Sequence, residues 1–399
     1  MNSMLLWVLA ANPARRFYEA IGGQPVKTER ICFMLPLLML LALLVTACGD
    51  TYTPGQTTGP IDSPTVTSQP NTTPSVLATG TFKEFPLPQN NSGMMRPAID
   101  HQGRIWFGEM GRNYLAVFDP RTGTFQQMTP PHGLSGVMGI EVAADDTIWF
   151  AEQYANYIGH YFPATHRYQL YSLPTITTPD PSNPGRTLTL PAAPNDLAFD
   201  SHGNVWFTEL NASAIGRLNP HDGSIRQYSL LTSKSAPSLN TYGITVDPQD
   251  AVWFTEASNS RLGRLDPHSG AIRYFTVAGT ATALMEIASD PRGMIWATSF
   301  STGLLVSLNP ATGVITPYYA PSPDGNTGGL YGITITPSGE VWVTITAVGI
   351  IARLDVAANQ FVYYTIPTSG SLPLGLVMGA HNTLWFTEAG SNKVGMLQP

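Results

Sequence analysis

Cysteine is almost absent from the sequence: only Cys32 and Cys48 occur in 399 residues, and none follows position 48. The rest of the chain has no internal disulfide available, so its fold must depend on a noncovalent core. Charge is also scarce, since charged residues make up 12% of the chain, the net charge is −7, and no block of lysine or arginine occurs. Nucleic-acid binding needs a basic surface, so no nucleic-acid partner is expected.

Long apolar runs are missing except for "ICFMLPLLMLLALLVTAC" at 31–48, which follows several arginines and lysines. This pattern predicts a secretory signal peptide over residues 1–47. The sequence "VTAC" at 45–48 is typical of a bacterial lipobox and predicts lipidation of Cys48. A single membrane-spanning anchor is the alternative, because the run is nearly long enough to span. In both cases we expect an extracytoplasmic protein attached to the bacterial cell membrane.

Residues 48–80 contain no lysine or arginine and are rich in threonine, proline, serine and glycine. A segment of this composition has little to bury, which predicts a disordered tether behind the lipidated cysteine. The tether would hold the folded part of the chain, predicted for residues 81–399, away from the membrane.

Tryptophan recurs at regular intervals of 43 to 57 residues along the folded part, at Trp106, Trp149, Trp206, Trp253, Trp296, Trp342 and Trp385. A period of about 40–50 residues is typical of a solenoid, a propeller or an array. Each unit contains four short alternating runs separated by turn residues, as in "YGITVDP", "AVWFTEA", "RLGRLDP" and "AIRYFTV". Four antiparallel strands make one propeller blade, so the sequence predicts an all-β, seven-bladed propeller.

The two ends of the repeat array predict a closed ring. The seventh unit stops after its third strand-like run, "KVGMLQP", while an unpaired run, "TFKEFPLP" at 81–88, precedes the first unit. This run resembles the fourth strands of other units, such as "RYQLYSLP" at 167–174. We therefore expect the N-terminal strand to complete the seventh blade, which removes an open edge. A monomer is expected.

A carboxylate ends the second strand of five units, three residues after the tryptophan: Glu109, Glu152, Glu209, Glu256 and Glu388. In a propeller these strand ends share one rim of the central channel. Carboxylate oxygens there could hold a hard cation such as Mg²⁺. The same residues could equally be strand-end side chains that hydrogen-bond the adjoining loop.

The motif "WFTE" and the continuation "IGRLNP" or "LGRLDP" resemble the streptogramin (virginiamycin B) lyase family over about 95–399. The resemblance implies a seven-bladed propeller that linearises a cyclic depsipeptide antibiotic by elimination at its ester bond, with Mg²⁺ as cofactor. It implies that Glu209, Glu256 and Glu152 are metal ligands. It also implies a catalytic histidine fourteen residues before a metal-binding glutamate, because elimination needs a base near the acidic C–H.

No unit has a histidine at that position. Counting back fourteen residues from each strand-end position reaches Met95, Met138, Asn195, Tyr242, Met285, Tyr331 and Leu374. Six of the eight histidines belong to turns expected at the opposite rim, and His160 lies within a third strand. Only His132, in "TPPHGLSGVMGIEV", is expected at the carboxylate rim. His132 is therefore the candidate catalytic base.

The residues at the counted positions begin the innermost strands and should surround the channel mouth. Asn195, Tyr242, Tyr331, Met138 and Met285 combine apolar and hydrogen-bonding groups, which suits contacts with an amphipathic or aromatic ligand. Plugging of the ring by bulky side chains is the alternative. Longer connections at 173–194, 230–240 and 320–329 fall on the same rim, where binding usually occurs.

Two functions remain open from the sequence. The missing histidine and the rim connections favour a surface-anchored propeller that binds a small-molecule or peptide ligand at the channel mouth. The alternative is an Mg²⁺-dependent carbon–oxygen lyase that linearises streptogramin B antibiotics with His132 as an unusual base.

Overall fold

The computed structural model describes residues 75–179, 185–230, 240–277, 283–320 and 329–399. The predicted signal peptide, Cys48 and most of the predicted tether lie outside these residues. Within them, no helix combines the length and apolar character needed to cross a membrane. Their regular elements are strands, apart from the 3-10 turns Ala257–Asn259, Thr346–Val348 and Ala380–Asn382, so the all-β prediction is confirmed.

Seven sheets with four antiparallel strands each form the blades. Blade 1 contains β3 to β6: Met94–Ile99, Ile105–Glu109, Tyr114–Asp119 and Thr124–Met128. Blade 2 contains β7 to β10: Val137–Val142, Ile148–Glu152, Tyr157–Phe162 and Arg167–Ser172. Blade 3 contains β13 to β16: Pro194–Phe199, Val205–Glu209, Ala214–Leu218 and Ile225–Ser229. A hairpin precedes it, formed by β11 (Ile176–Pro179) and β12 (Thr187–Leu190).

The remaining blades repeat this order. Blade 4 contains β17 to β20: Thr241–Val246, Val252–Glu256, Arg261–Leu265 and Ile272–Thr276. Blade 5 contains β21 to β24: Leu284–Ser289, Ile295–Ser299, Leu304–Leu308 and Ile315–Tyr319. Blade 6 contains β25 to β28: Leu330–Ile335, Val341–Ile345, Ile350–Asp355 and Gln360–Thr365. Blade 7 contains β29 to β31 and β2: Pro373–Met378, Leu384–Glu388, Lys393–Gln398 and Thr81–Pro86.

The ring of blades is closed. The first strand of every blade contacts the first strands of both neighbouring blades, including those of blades 7 and 1, so the seven strands surround one axis. β2 pairs antiparallel with β31, with Thr81 opposite Gln398 and Pro86 opposite Lys393. The predicted seven-bladed propeller, closed by the N-terminal strand, is therefore confirmed.

A short strand lies inside the region expected to be a tether. β1 (Val76–Leu77) pairs in parallel with β28 at the outer edge of blade 6. The Ala78 backbone N–H extends this pairing by donating to the Tyr363 carbonyl at 2.8 Å. Backbone hydrogen bonds order this segment although the Val76 and Leu77 side chains are exposed. The folded part consequently begins several residues before residue 81, the start expected from the sequence.

The repeated aromatic pair packs inside and between the blades. The seven tryptophans of the second strands are buried. The phenylalanine that follows them lies directly opposite a glycine on the third strand in four blades: Phe150 with Gly159, Phe207 with Gly216, Phe254 with Gly263, and Phe386 with Gly395. A Cβ on any of these glycines would clash with the ring. Blade 5 reverses the sizes, with Ala297 opposite Val306, while blade 1 pairs Phe107 with Ala116 and blade 6 pairs Val343 with Ala352. Space opposite the ring is therefore tightest in the four blades that pair phenylalanine with glycine.

The first strand of every blade, which lies at the central axis, contains a β-bulge. The second and third residues of that strand together face one residue of the second strand. In five blades the facing residue is a threonine: Thr208, Thr255, Thr298, Thr344 and Thr387. Its hydroxyl accepts a hydrogen bond from the backbone N–H of the third residue of the first strand. The same hydroxyl donates a hydrogen bond to a backbone carbonyl of the next blade. The bond from Thr387 to the Met95 carbonyl joins blade 7 to blade 1 at 2.8 Å.

Candidate functional site

The upper rim is defined here as the end of the propeller where the first strands begin and the second strands finish. The five strand-end glutamates all lie there, each fully buried. Each one is bonded within its own blade or to the loop that enters it. Glu209, for example, accepts two bonds from the Gln227 amide at 2.8 and 2.7 Å, and Glu109 accepts one from Gln127 at 2.5 Å. These contacts match the alternative of strand-end residues that fix the local loops.

The three glutamates predicted as metal ligands do not converge. Glu209 is held by Gln227, Glu256 by Arg261 and Asn259, and Glu152 by His132. In the described ranges, no three histidine, cysteine, aspartate or glutamate side chains form a group suited to a metal ion. The donor set in the described part of the chain therefore does not fit Mg²⁺, and we derive no chemical step through a metal.

The residues predicted to contact a ligand form a ring that we call the axial ring: Met95, Met138, Asn195, Tyr242, Met285, Tyr331 and Leu374. Each is the second residue of a first strand, and none is more than 6% exposed. The Tyr242 and Tyr331 hydroxyls share a hydrogen bond of 2.5 Å, although the two residues belong to blades 4 and 6. Asn195 donates to the Tyr242 carbonyl at 3.0 Å and accepts from Gln153 at 3.0 Å. The geometry therefore corresponds to the plugging alternative, and ligand contact by these five predicted residues stays a prediction.

A charged cluster lies directly below the axial ring and was missed from the sequence. Arg96 forms ion pairs with Asp196 and Glu286, and all three are third residues of first strands. The other four blades have glycine at this position. The signal was present in the sequence, because a charged residue interrupts a glycine position three times. Only a closed ring brings blades 1, 3 and 5 together at one point.

His132 lies at the upper rim, as expected, and forms a specific pair. Its Nδ1 is 2.8 Å from Glu152 Oε2, and its ring stacks on Tyr157 with centroids 4.2 Å apart. When Glu152 is ionised it only accepts hydrogen bonds, so His132 Nδ1 is then the donor in this contact. The His132 side chain is 34% exposed, whereas Glu152 is buried. Two residues that the sequence assigned separately, one to catalysis and one to metal binding, therefore act as one unit.

Two neighbours of His132 expose apolar surface. Leu134 is 73% exposed and Tyr154 is 40% exposed, which is unusual for large apolar side chains in the described part of the chain. The Tyr154 N–H donates to the Ser135 carbonyl at 3.1 Å, which ties the two loops together. Gly136 has a φ of +61° and lies against the Tyr154 ring. We refer to His132, Leu134 and Tyr154 as the rim patch.

Several buried acids give the protein a characteristic pH response. Burial raises the pKa of Glu141 to about 8 and those of Glu209 and Glu388 to about 7. These groups hold protons in the folded state at pH values where the unfolded chain has lost them, so unfolding becomes easier as pH rises towards 8. His160 opposes this trend only below about pH 6.5, because burial lowers its pKa to about 4.

We therefore expect the free energy of unfolding to fall by about 3 kcal/mol between pH 6.5 and 8. Urea unfolding at several pH values measures this slope. The double variant Glu141→Gln with Glu209→Gln should flatten it, since glutamine cannot ionise and still accepts the Gln227 bond. An unchanged slope in the double variant would contradict the assignment.

Comparisons with known proteins agree with this architecture. The family model described as "Virginiamycin B lyase family" matches residues 57–326 and 183–399. Virginiamycin B lyase from Staphylococcus aureus is similar in structure, with 25% identity, a TM-score of 0.69, and coverage of 80% of this chain and 99% of that chain. A streptogramin B lyase structure is similar at 26% identity and a TM-score of 0.69, covering 80% of this chain and 97% of that one.

A third solved structure shows the same fold. It is the S. aureus lyase with a histidine replaced by alanine, described as catalytically inactive and bound to quinupristin, at 24% identity and a TM-score of 0.69. Coverage is 80% of this chain and 99% of that chain. No significant match was found among curated protein sequences. Because the matched segments together extend over most of the chain, this protein belongs to the virginiamycin B lyase family.

Proposed function

We propose that this propeller binds an amphipathic small-molecule or peptide ligand at the rim patch and does not open it chemically. The observation that supports binding is the exposed pair Leu134 and Tyr154 beside the half-exposed His132. An exposed aliphatic side chain, an aromatic ring and one directed hydrogen-bonding group are a common combination in ligand sites. The family relationship suggests a cyclic depsipeptide of the streptogramin B type as the first ligand to test.

The closed axis supports binding without turnover. The positions where the family resemblance implies a catalytic histidine hold methionine, asparagine, tyrosine or leucine. These side chains are buried and bonded to one another or packed in the axial ring. The described carboxylates likewise form no metal group. The described residues therefore place neither a histidine nor a group of three metal-ligating side chains at the axis.

One observation favours a second candidate, a carbon–oxygen lyase. With Nδ1 engaged by Glu152, Nε2 of the 34% exposed His132 side chain would be the atom that removes a proton from a ligand on the rim patch. His132 would be the base and Glu152 the residue that orients it. The family mechanism also uses a cation to polarise a carbonyl, and His132 and Glu152 belong to no group of three metal-ligating side chains in the described residues.

The binding proposal extends to cellular placement. Lipidation of Cys48 would attach the chain to the outer face of the cytoplasmic membrane, and the segment before β1 would separate the propeller from the lipid. The basic residues and apolar run before Cys48 support this proposal. Labelling with a palmitate analogue tests it, and loss of label in Cys48→Ser is the expected result.

Isothermal titration calorimetry of the full-length chain with quinupristin tests whether the rim patch is the binding site. Leu134→Ser and Tyr154→Ser should each weaken binding about tenfold, because each removes apolar contact area. Val356→Ser is the matched control, since Val356 is 42% exposed but lies in a turn at the opposite end of the propeller. Equal weakening in the control, or none in the patch variants, would contradict this location.

A further inference from the structure

The axis below the axial ring contains a cavity of 420 Å³. Its lining comes from the later residues of the first strands, so it lies towards the lower rim, the end opposite the rim patch. Polar atoms contribute more of its exposed surface than apolar atoms, and the side chains of Ile140, Ile244 and Ile287 pack in the cores between blades. The cavity is therefore separate from the proposed function and sits on the other side of the buried axial ring.

The charges at the inner end of this cavity are unbalanced. Arg96, Glu141 and Glu286 line it, and Asp196 lies behind Arg96. Asp196 and Glu286 thus contact one guanidinium while Glu141 lines the same cavity, and Asp196 and Glu286 are both more than nine-tenths buried. Burial and the Asp196 carboxylate raise the pKa of Glu141 to about 8. Negative charge there is unfavourable until a further cation compensates it.

Glu286 has one carboxylate oxygen with no hydrogen bond or ion pair among the described residues. Glu286 is 4% exposed, and while Oε2 pairs with Arg96, its Oε1 is buried without any hydrogen-bond partner. Buried carboxylate oxygens are normally satisfied, and because Glu286 lines the cavity, a donor bound there would reach this oxygen. This observation is independent of the charge imbalance and points to the same place.

The position of these residues also departs from the repeat. Glycine occupies the equivalent place in blades 2, 4, 6 and 7, where a Cβ would press against the backbone of the adjacent blade. Arg96, Asp196 and Glu286 replace it in the other three blades. A departure from a repeated packing rule that also creates a charged cavity is typical of a functional site.

We propose that the lower axial cavity binds a small primary ammonium compound, with the ammonium against Glu286 and Glu141. An ammonium has three hydrogen-bond donors and one positive charge. It would supply a donor to Glu286 Oε1 and a compensating positive charge to the cluster. A metal ion fits less well, because the described residues contain no group of three or more metal-ligating side chains.

Calorimetric titration of the full-length chain with n-butylammonium chloride tests the proposal. We expect saturable binding at one site per chain, with n-butanol, its neutral analogue, showing none. Glu286→Gln should weaken binding about tenfold or more, because it removes a charged partner of the ammonium. Glu340→Gln is the matched control, since Glu340 pairs with Arg353 away from the cavity and its loss should leave the affinity unchanged.

Glu141→Gln provides a second variant, because Glu141 makes no ion pair within the described residues that its loss would break. It should also weaken binding if Glu286→Gln does not fold. The proposal is overturned if butanol binds as well as butylammonium, if both variants keep full affinity, or if only Mg²⁺ binds and the amine does not.

Discussion

Gly263→Val should destabilise the protein by about 3 kcal/mol, because the new side chain would have to occupy the volume of the Phe254 ring. Phe254 is fully buried and lies opposite Gly263 in blade 4. Denaturant unfolding of the full-length chain measures the loss. Gly133→Val is the control, since nothing lies within 4 Å of a Cβ at Gly133, and it should change stability by less than about 0.5 kcal/mol.

A double-mutant cycle separates volume from other causes. Phe254→Ala alone should cost about 4 kcal/mol through the cavity it leaves. The double variant Phe254→Ala with Gly263→Val reproduces the pair found in blade 5, where Ala297 faces Val306. It should recover about 2 kcal/mol relative to the sum of the single losses. Strict additivity would show that the two positions do not share one space.

Phe85→Asp should destabilise the protein by about 4 kcal/mol. The largest local effect is expected where blade 7 closes against blade 1. Phe85 lies on β2, with its ring centroid 4.6 Å from Phe118 of blade 1 and 6.1 Å from Trp385 of blade 7. The variant removes this aromatic contact and places a charge between two blades. Because β2 is the strand that completes blade 7, hydrogen exchange should accelerate most in β2 and β29 to β31.

Thr81→Asp introduces the same charge on the same strand at an exposed position. It should leave both stability and exchange nearly unchanged, since Thr81 contributes no buried surface. If the two variants behaved alike, the aromatic contact across the closure would not be what holds the ring. If exchange rose evenly in all blades after Phe85→Asp, unfolding would be global rather than starting at the closure.

Much of the fold was predictable because a propeller blade is local in sequence. Four consecutive strands pair in order, so the tryptophan period and the turn residues between strands were sufficient to predict the blades. The closing strand was also predictable, since 81–88 resembles a fourth strand without a blade of its own. β1 was not, because Val76 and Leu77 are held by backbone bonds rather than by a side-chain pattern.

The site was less predictable, because it depends on contacts between distant blades. Counting back from the glutamates correctly identified a shared strand position, but strand position alone does not distinguish an open mouth from a plug. The hydrogen bond between Tyr242 and Tyr331 crosses from blade 4 to blade 6 and is visible only in the folded ring. The charged cluster lies one residue further along the first strand, within the bulge, where Arg96, Asp196 and Glu286 meet.

The pairing of His132 with Glu152 shows a signal that the sequence did contain. Glu152 lies opposite Val137 at the start of β7, and His132 stands five residues before Val137. A loop of that length entering the strand can return a side chain to the strand-end carboxylate. Treating Glu152 as one of several equivalent metal ligands concealed this local contact, which no other blade can make with a histidine.

The most direct test of binding without turnover is incubation of the full-length chain with quinupristin and Mg²⁺, followed by liquid chromatography with intact-mass detection. Elimination opens the ring without changing its mass, so opening appears as a new retention time at unchanged mass. We expect no such species above the protein-free control, although calorimetry detects binding. Mg²⁺-dependent formation of the opened isomer, abolished by His132→Ala, would contradict the account and establish the lyase.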